Sequence, residues 1–214
     1  MTDVTVFGAE YSVYVRSVCL TLREKGVAYR LESIDVFGAE GAPASHRARQ
    51  PFGKIPAFRH DDFALYETSA INRYVDEVFP GPSLQPREPQ LRARMNQAIG
   101  ILDSYAYRTL VWDLYVERIV KRTGADKARI ASALPHAATC LRALDELGAG
   151  GVWLATPELT LADLHAAPML AYFTQTPESQ LLLEPHERLR RWWARLSARD
   201  SVRSVCASSL APQP

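Results

Sequence analysis

The hydrophobic period of the chain changes once, and prolines mark the change. Up to Pro80-Gly81-Pro82 and the Pro86–Pro89 stretch, strand-like and helix-like patterns alternate; beyond it the pattern is helical almost throughout. A Pro/Gly-rich segment between two periodic regions marks a domain boundary. It divides the chain into 1–79, a linker at 80–88, and 89–214. In the first part, Val4–Phe7 reads as a short strand ended by Gly8. Residues 14–25 put Val15, Val18, Cys19 and Leu22 on one helical face, with Gly26 as the stop. Tyr29–Ile34 alternates as a second strand. Strand, helix and strand at this spacing make a βαβ unit with a right-handed crossover. Ile55–Phe58 and Phe63–Leu65 follow, joined by a turn at Arg59–Asp62. Glu67–Val78 then reads as a helix with Ala70, Ile71, Tyr74, Val75 and Val78 inward. The expectation is an α/β domain ordered βαβ-ββα over a mixed four-stranded sheet, followed by an all-α domain.

In that second domain, residues 90–121 run long without proline. Residues 126–147 form another helix, which Pro135 is expected to kink or split. At Leu159–Leu164, Thr160 can cap a helix and Asp163 can reach back to it, with Leu159 and Leu164 as a hydrophobic staple. A last helix covers about 186–198. Its run Arg188–Leu196 reads as an amphipathic helix with a solvated basic face.

Composition narrows the function classes. With 47% hydrophobic residues the chain can bury a core, and a net charge of +1 supplies no field for nucleic acid or anionic lipid. No apolar run approaches the roughly 18–20 residues of a membrane span. The N-terminus has no basic region followed by a long apolar stretch, so no secretory signal is read and the expected compartment is cytoplasmic. Cys19, Cys140 and Cys206 lie far apart, without a C-x-x-C, and their odd number speaks against a disulfide framework. The scattered histidines show no metal-binding spacing, and no metal is expected.

One stretch resists a plain strand reading. In Phe52-Gly53-Lys54-Ile55-Pro56-Ala57-Phe58 the proline sits in an apolar run, yet proline cannot donate to a strand ladder. Either the run is not a strand, or it is an edge where a missing N–H is useful. Three local matches, in order and correctly spaced, answer this: Tyr11–Val18; Gln50–Pro56 followed by Glu67–Ile71; and the Thr160–Asp163 capping box. Through them the chain resembles the cytosolic glutathione transferases over essentially its whole length, with the serine-type, phi/theta/zeta-like pattern. The resemblance implies a thioredoxin-like N-terminal domain, and a cis Pro56 that opens the third strand at the sheet edge facing the ligand. The small cis penalty of an X–Pro bond permits this. It implies glutathione as co-substrate, a small electrophile as second substrate, and a homodimer.

The resemblance also assigns roles. The backbone of Ile55, before Pro56, pairs with the cysteinyl backbone of glutathione like a short added strand. Thr68, at a helix start with free N–H groups and the positive end of the dipole, takes the γ-glutamyl carboxylate, and Glu67 takes the adjacent ammonium. Lys54 stands near the glycine end. A His-Lys pair that some members carry is missing near Gly41-Ala42, with His46, Arg47 or Arg49 as possible substitutes. Ser12 falls at the thiol-activating position, where a hydroxyl donating to sulfur beside a helix N-terminus lowers the thiol pKa by about two units. Tyr11 and Tyr14 are rival donors, and Cys19 reads as buried and inert. On a helical period Tyr105, Arg108, Trp112 and Tyr115 share a face, which serves either packing or a pocket. Tyr11, Tyr105 and Trp112 are the candidates for an aromatic second-substrate pocket. Asp103 is the candidate for a contact with glutathione held by the partner subunit. The expected reaction is conjugation. Isomerisation, dehalogenation or peroxide reduction on the same fold, or a non-catalytic binding module, stay open.

Overall fold

The computed structural model describes residues 3–39, 41–121, 123–148 and 151–210. It divides into two compact units, Met1–Ser83 and Leu84–Pro214. The first holds a four-stranded sheet in the order β2-β1-β3-β4. The strands are β1 (Val4–Gly8), β2 (Arg30–Ser33), β3 (Ala57–His60) and β4 (Phe63–Tyr66). β1 runs parallel to β2 and antiparallel to β3, and β3 runs antiparallel to β4, so the sheet is mixed as expected. β1 is buried along its whole length, which its unbroken Val-Thr-Val-Phe-Gly run permits. Helix α1 (Val13–Glu24) follows β1, and a short turn of helix, α2 (Ala44–Arg47), precedes β3; α3 (Thr68–Val78) follows β4.

The proline never enters the ladder. β3 begins at Ala57, one residue beyond Pro56, and the Ile55–Pro56 bond is cis. The turn that follows is tighter than the sequence suggests. His60 pairs with Phe63, which leaves only Asp61 and Asp62 between the strands, with Asp61 at φ 50. Aspartate tolerates that left-handed conformation in a two-residue hairpin.

The inward face of α3 needs correcting. Ile71 and Val75 are buried, but Ala70 and Val78 are exposed and Tyr74 is half-buried; Asn72 and Asp76 take the inward positions. Their contacts are polar. Asn72 Nδ2 donates to Ser17 Oγ at 2.9 Å. Lys25 Nζ donates to Asp76 Oδ1 at 3.1 Å, to Asp76 O at 3.0 Å and to Pro82 O at 2.9 Å. Asn72 and Asp76 thus bind α3 to α1 through hydrogen bonds that apolar periodicity cannot register.

The second unit is helical. Glu88 caps α4 (Pro89–Ile101), its carboxylate accepting from Gln90 N at 2.8 Å and Leu91 N at 2.6 Å, with proline at the first helical position. The helix continues over Leu102–Val120 with π winding, and Lys121 N donates five residues back to Val116 O at 3.0 Å. Pro135 does not split its helix, which runs from Lys127 to Leu147. Ala131 and Pro135 both lie on the exposed face, where water can take the carbonyl that proline leaves open. The Thr160–Asp163 box is present at the start of the Leu161–Phe173 helix, every residue of which is buried. Asp163 Oδ2 accepts from Thr160 N at 2.8 Å and Thr160 Oγ1 at 3.1 Å, and Oδ1 accepts from Leu154 N at 2.8 Å and Trp192 Nε1 at 2.7 Å. Burial pushes the Asp163 carboxyl up, and these hydrogen bonds pull it back down.

The helix Glu187–Ser197 is amphipathic, with Leu189, Trp192 and Leu196 buried. Its basic residues are only partly a solvated face. Arg190 and Arg191 are exposed, but Arg188 Nε donates to Asp145 O at 2.8 Å, and Arg195 lies 5.8 Å from the centre of the Trp153 ring.

Candidate active site

Strand directions decide where the candidate residues go. β1 and β4 end, and β3 begins, at one edge of the sheet. Phe7 pairs with Ala57, and Ala57 pairs with Tyr66. The next residue beyond each pair at that edge is therefore Gly8, Pro56 and Glu67. The loop from Gly8 to Ser12, the cis Ile55–Pro56 unit and the Glu67-Thr68 helix start converge there. It is the carboxyl edge of the parallel pair, where α/β sheets bind ligands. Gly8 is required for this convergence, since a Cβ there would lie 2.4 Å from Val15 Cγ2 and 3.4 Å from Ile55 Cβ.

Ser12 is the N-cap of α1. Its Oγ accepts from Val15 N at 3.4 Å, and its own N–H donates to Ala9 O at 3.0 Å. The cap uses the hydroxyl as acceptor, so its proton can be directed elsewhere. Tyr11 is placed differently. Its hydroxyl donates to Asp35 Oδ1 at 3.3 Å, and burial together with the Asp35 charge raises its pKa. Asp35 Oδ1 also accepts from Phe37 N at 2.9 Å. Arg16, only 3% exposed, donates through Nε to Glu10 O and so ties the loop back to the first turn of α1.

The second cluster lies across the edge. Lys54 is exposed, Pro56 is buried, and the Ile55 side chain packs on Phe7, Ile34 and Ala57. Glu67 is exposed and sits at φ 72, ψ 112 directly before α3; a non-glycine residue held there costs about 1–3 kcal/mol, and such strain gathers at functional sites. Thr68, the first residue of α3, is buried. His46 is not a substitute cation for the ligand: it is fully buried, and its Nε2 lies 2.7 Å from Lys54 O. Arg49 lies 4.4 Å from the centre of the Phe7 ring and donates to Ser45 O. Arg47 is exposed.

In the helical unit the aromatic stripe does not hold together. It presumes 3.6 residues per turn, and π winding moves residues seven apart off a common face. Tyr105 and Arg108 line a cavity of about 360 Å³ with Ser104, Thr109, His136 and Cys140. Trp112 hydrogen-bonds to Tyr107, and Tyr115 stacks on Tyr172 at 4.3 Å. Asp103 Oδ1 lies 2.8 Å from Nε2 of the buried His165.

Residues 6–83 match the family profile "Glutathione S-transferase, N-terminal domain", and residues 107–200 match "Glutathione S-transferase, C-terminal domain". A probable glutathione S-transferase of Oryza sativa subsp. japonica is 30% identical over 219 residues, covering 100% of this chain and 99% of the relative. The chain belongs to the glutathione S-transferase family. Its curated relatives include glutathione S-transferase F7 of Arabidopsis thaliana, 28% identical over 96% of this chain and 100% of that one. Among solved structures, glutathione transferase F2 from Populus trichocarpa aligns with a TM-score of 0.85 at 27% identity, covering 97% of this chain and 99% of that one. The theta class glutathione S-transferase of Xanthomonas axonopodis pv. citri, solved with glutathione bound, aligns with a TM-score of 0.81 at 27% identity, covering 99% and 100%. The family's thioredoxin-like first domain and helical second domain are those described above.

Sequence reasoning missed Arg16, Asp35 and Gln50, which hold this transferase's loops in place. Arg16 carried a signal: it is a charge inside a helix whose neighbours are apolar. Asp35 and Gln50 carried none: Tyr11 reaches Asp35 only through the fold, and the bond from Lys54 N to Gln50, four residues apart, lies in an irregular segment that no periodicity describes.

Proposed function

We propose that this glutathione S-transferase conjugates the glutathione thiolate to small, largely apolar electrophiles, with Ser12 activating the thiol. One observation carries the reading: Ser12, the Ile55–Pro56 unit and Glu67-Thr68 meet at the carboxyl edge of a single sheet. Thr68 and the start of α3 receive the γ-glutamyl carboxylate, Glu67 the ammonium, the Ile55 backbone the cysteinyl residue and Lys54 the glycine carboxylate. The Ser12 hydroxyl donates to sulfur. A charge-assisted hydrogen bond of about 1.5–3 kcal/mol lowers the thiol pKa from about 8.5 by roughly one to two units. The thiolate attacks the electrophilic carbon; a C–S bond forms, the displaced group leaves with its electron pair, and the thiol proton goes to solvent. Tyr11 is the weaker candidate because its proton is directed to Asp35. The three buried cysteines, none of them in a disulfide, fit a reducing, cytoplasmic setting, and homodimerisation is part of the proposal, testable by light scattering.

The test is thiolate absorbance of bound glutathione against pH. Ser12→Ala should move the titration up by about one to two units, with glutathione affinity nearly unchanged and neutral-pH turnover about ten- to a hundredfold lower. Overlapping curves for wild type and Ser12→Ala exclude Ser12. Glu67→Ala should show the opposite pattern, with weak glutathione binding at every pH.

A further inference from the structure

His46 and Gln50 both act on one residue of the proposed site. His46 is fully buried and Gln50 is 3% exposed. Both side chains turn onto one residue. Lys54 N donates to Gln50 Oε1 at 2.9 Å, and Lys54 O lies 2.7 Å from His46 Nε2. The two are themselves held one turn apart, Gln50 N donating to His46 O at 2.9 Å. Since Lys54 O can only accept, His46 Nε2 carries the proton. Its other ring nitrogen, Nδ1, is buried with no hydrogen-bond partner among the described residues. A buried polar atom left open is costly. An apolar side chain of similar size would fill that volume without this cost, so the imidazole is there for its single donor.

The geometry of the peptide group says what that donor achieves. The Lys54–Ile55 bond is trans, the Ile55–Pro56 bond being the cis one. In a trans peptide the C=O of one residue and the N–H of the next point in opposite directions across one plane. Fixing Lys54 C=O toward His46 therefore aims Ile55 N–H the other way. We propose that His46 is a positioning residue for glutathione, setting the Lys54–Ile55 peptide plane so that the Ile55 backbone is presented to the cysteinyl residue, while Gln50 anchors Lys54 N in the peptide before it. This rests on the glutathione reading above and adds to it the device that makes Ile55 a preformed edge.

His46→Phe keeps a planar ring at the site and deletes the donor. Glutathione Kd should rise about three- to tenfold, the worth of one neutral hydrogen bond, while kcat at saturating glutathione and the melting temperature change little. His46→Gln, which restores a side-chain N–H, should recover most of the affinity. The Ile55 amide resonance in the ligand-free protein should shift in His46→Phe and return toward its wild-type position in His46→Gln. Gln50→Met, which removes the other half of the clamp, is the second variant should His46→Phe fail to fold, with the same expected loss of affinity. An unmoved Ile55 resonance overturns the proposal. So does an affinity loss matched by a general loss of stability, or one that His46→Gln fails to restore. If wild type binds no glutathione, the glutathione reading falls on that result, while the Ile55 resonance still reports on the clamp by itself.

Discussion

Cys19 shows how burial can dominate the chemistry of a side chain. Loss of hydration pushes its thiol up to about 11, against a smaller opposing hydrogen bond from the Tyr29 hydroxyl. Tyr29 is pushed up to about 12, by burial first and then by Cys19. Both are acids that hold their protons longer when folded. The unfolded chain releases its proton from the thiol near 9.0 and the phenol near 10.0. Above about pH 9 the native state therefore binds more protons than the unfolded one, and stability falls as pH rises toward 11–12. For Cys19 the loss amounts to about 2–3 kcal/mol. Urea midpoints measured from pH 8 to pH 11 should fall across that window, and Cys19→Ala should flatten part of the fall. A flat profile in wild type would show that the thiol is not held in its protonated form. The burial of Cys19 was legible from its place on an apolar helical face. Its contact with Tyr29 was not, because that partner arrives from the segment between the turn at Gly26 and β2.

Among the elements, the Leu161–Phe173 helix and the α1–α3 pair depend on single buried polar groups. Thr160→Ala removes one donor to Asp163 and should cost about 0.5–2 kcal/mol, lowering the melting temperature by about 1–8 °C. Asp163→Ala also strands the buried Trp192 indole and Leu154 N–H groups, so calorimetry should show a drop at least twice as large. Glutathione affinity should stay as in wild type in both. In the first unit, Lys25→Met leaves the Asp76 carboxylate buried without its cation and should cost about 3–5 kcal/mol. Adding Asp76→Leu should recover much of that loss, a sign that the pair's cost lies in leaving it half-made. Helix starts and stops were legible because glycine, proline and the capping residues act locally. The π winding of Leu102–Val120 was not, since its sequence satisfies an α-helical period equally well, and the stripe Tyr105–Tyr115 fell with it.

For the whole molecule, the division at the proline-rich segment and the order of elements follow from local pattern. The site follows from motif spacing at Ser12, Pro56 and Glu67-Thr68. What stayed hidden is how those residues are supported: Arg16, Asp35, His46 and Gln50 each act on a backbone or hydroxyl group through loop geometry that hydrophobic periodicity does not describe. Binding should be visible in the stability of the entire chain. Glutathione at a hundred times its Kd should stabilise by about 2.7 kcal/mol and raise the melting temperature by about 5–10 °C. Glu67→Ala should abolish that rise at the same glutathione concentration, and a full rise in the variant would remove Glu67 from the site.

The burial of Cys19, Cys140 and Cys206 bears on how long such a protein survives its own work. On the proposed function it handles compounds that alkylate thiols, and it carries three thiols of its own. With its pKa near 11, only about one Cys19 in ten thousand is ionised at neutral pH, and its side chain is buried. Activated glutathione is then the nucleophile an electrophile meets first. Self-inactivation is paced by the opening of the fold, and the number of turnovers before failure becomes a property of stability rather than of catalysis.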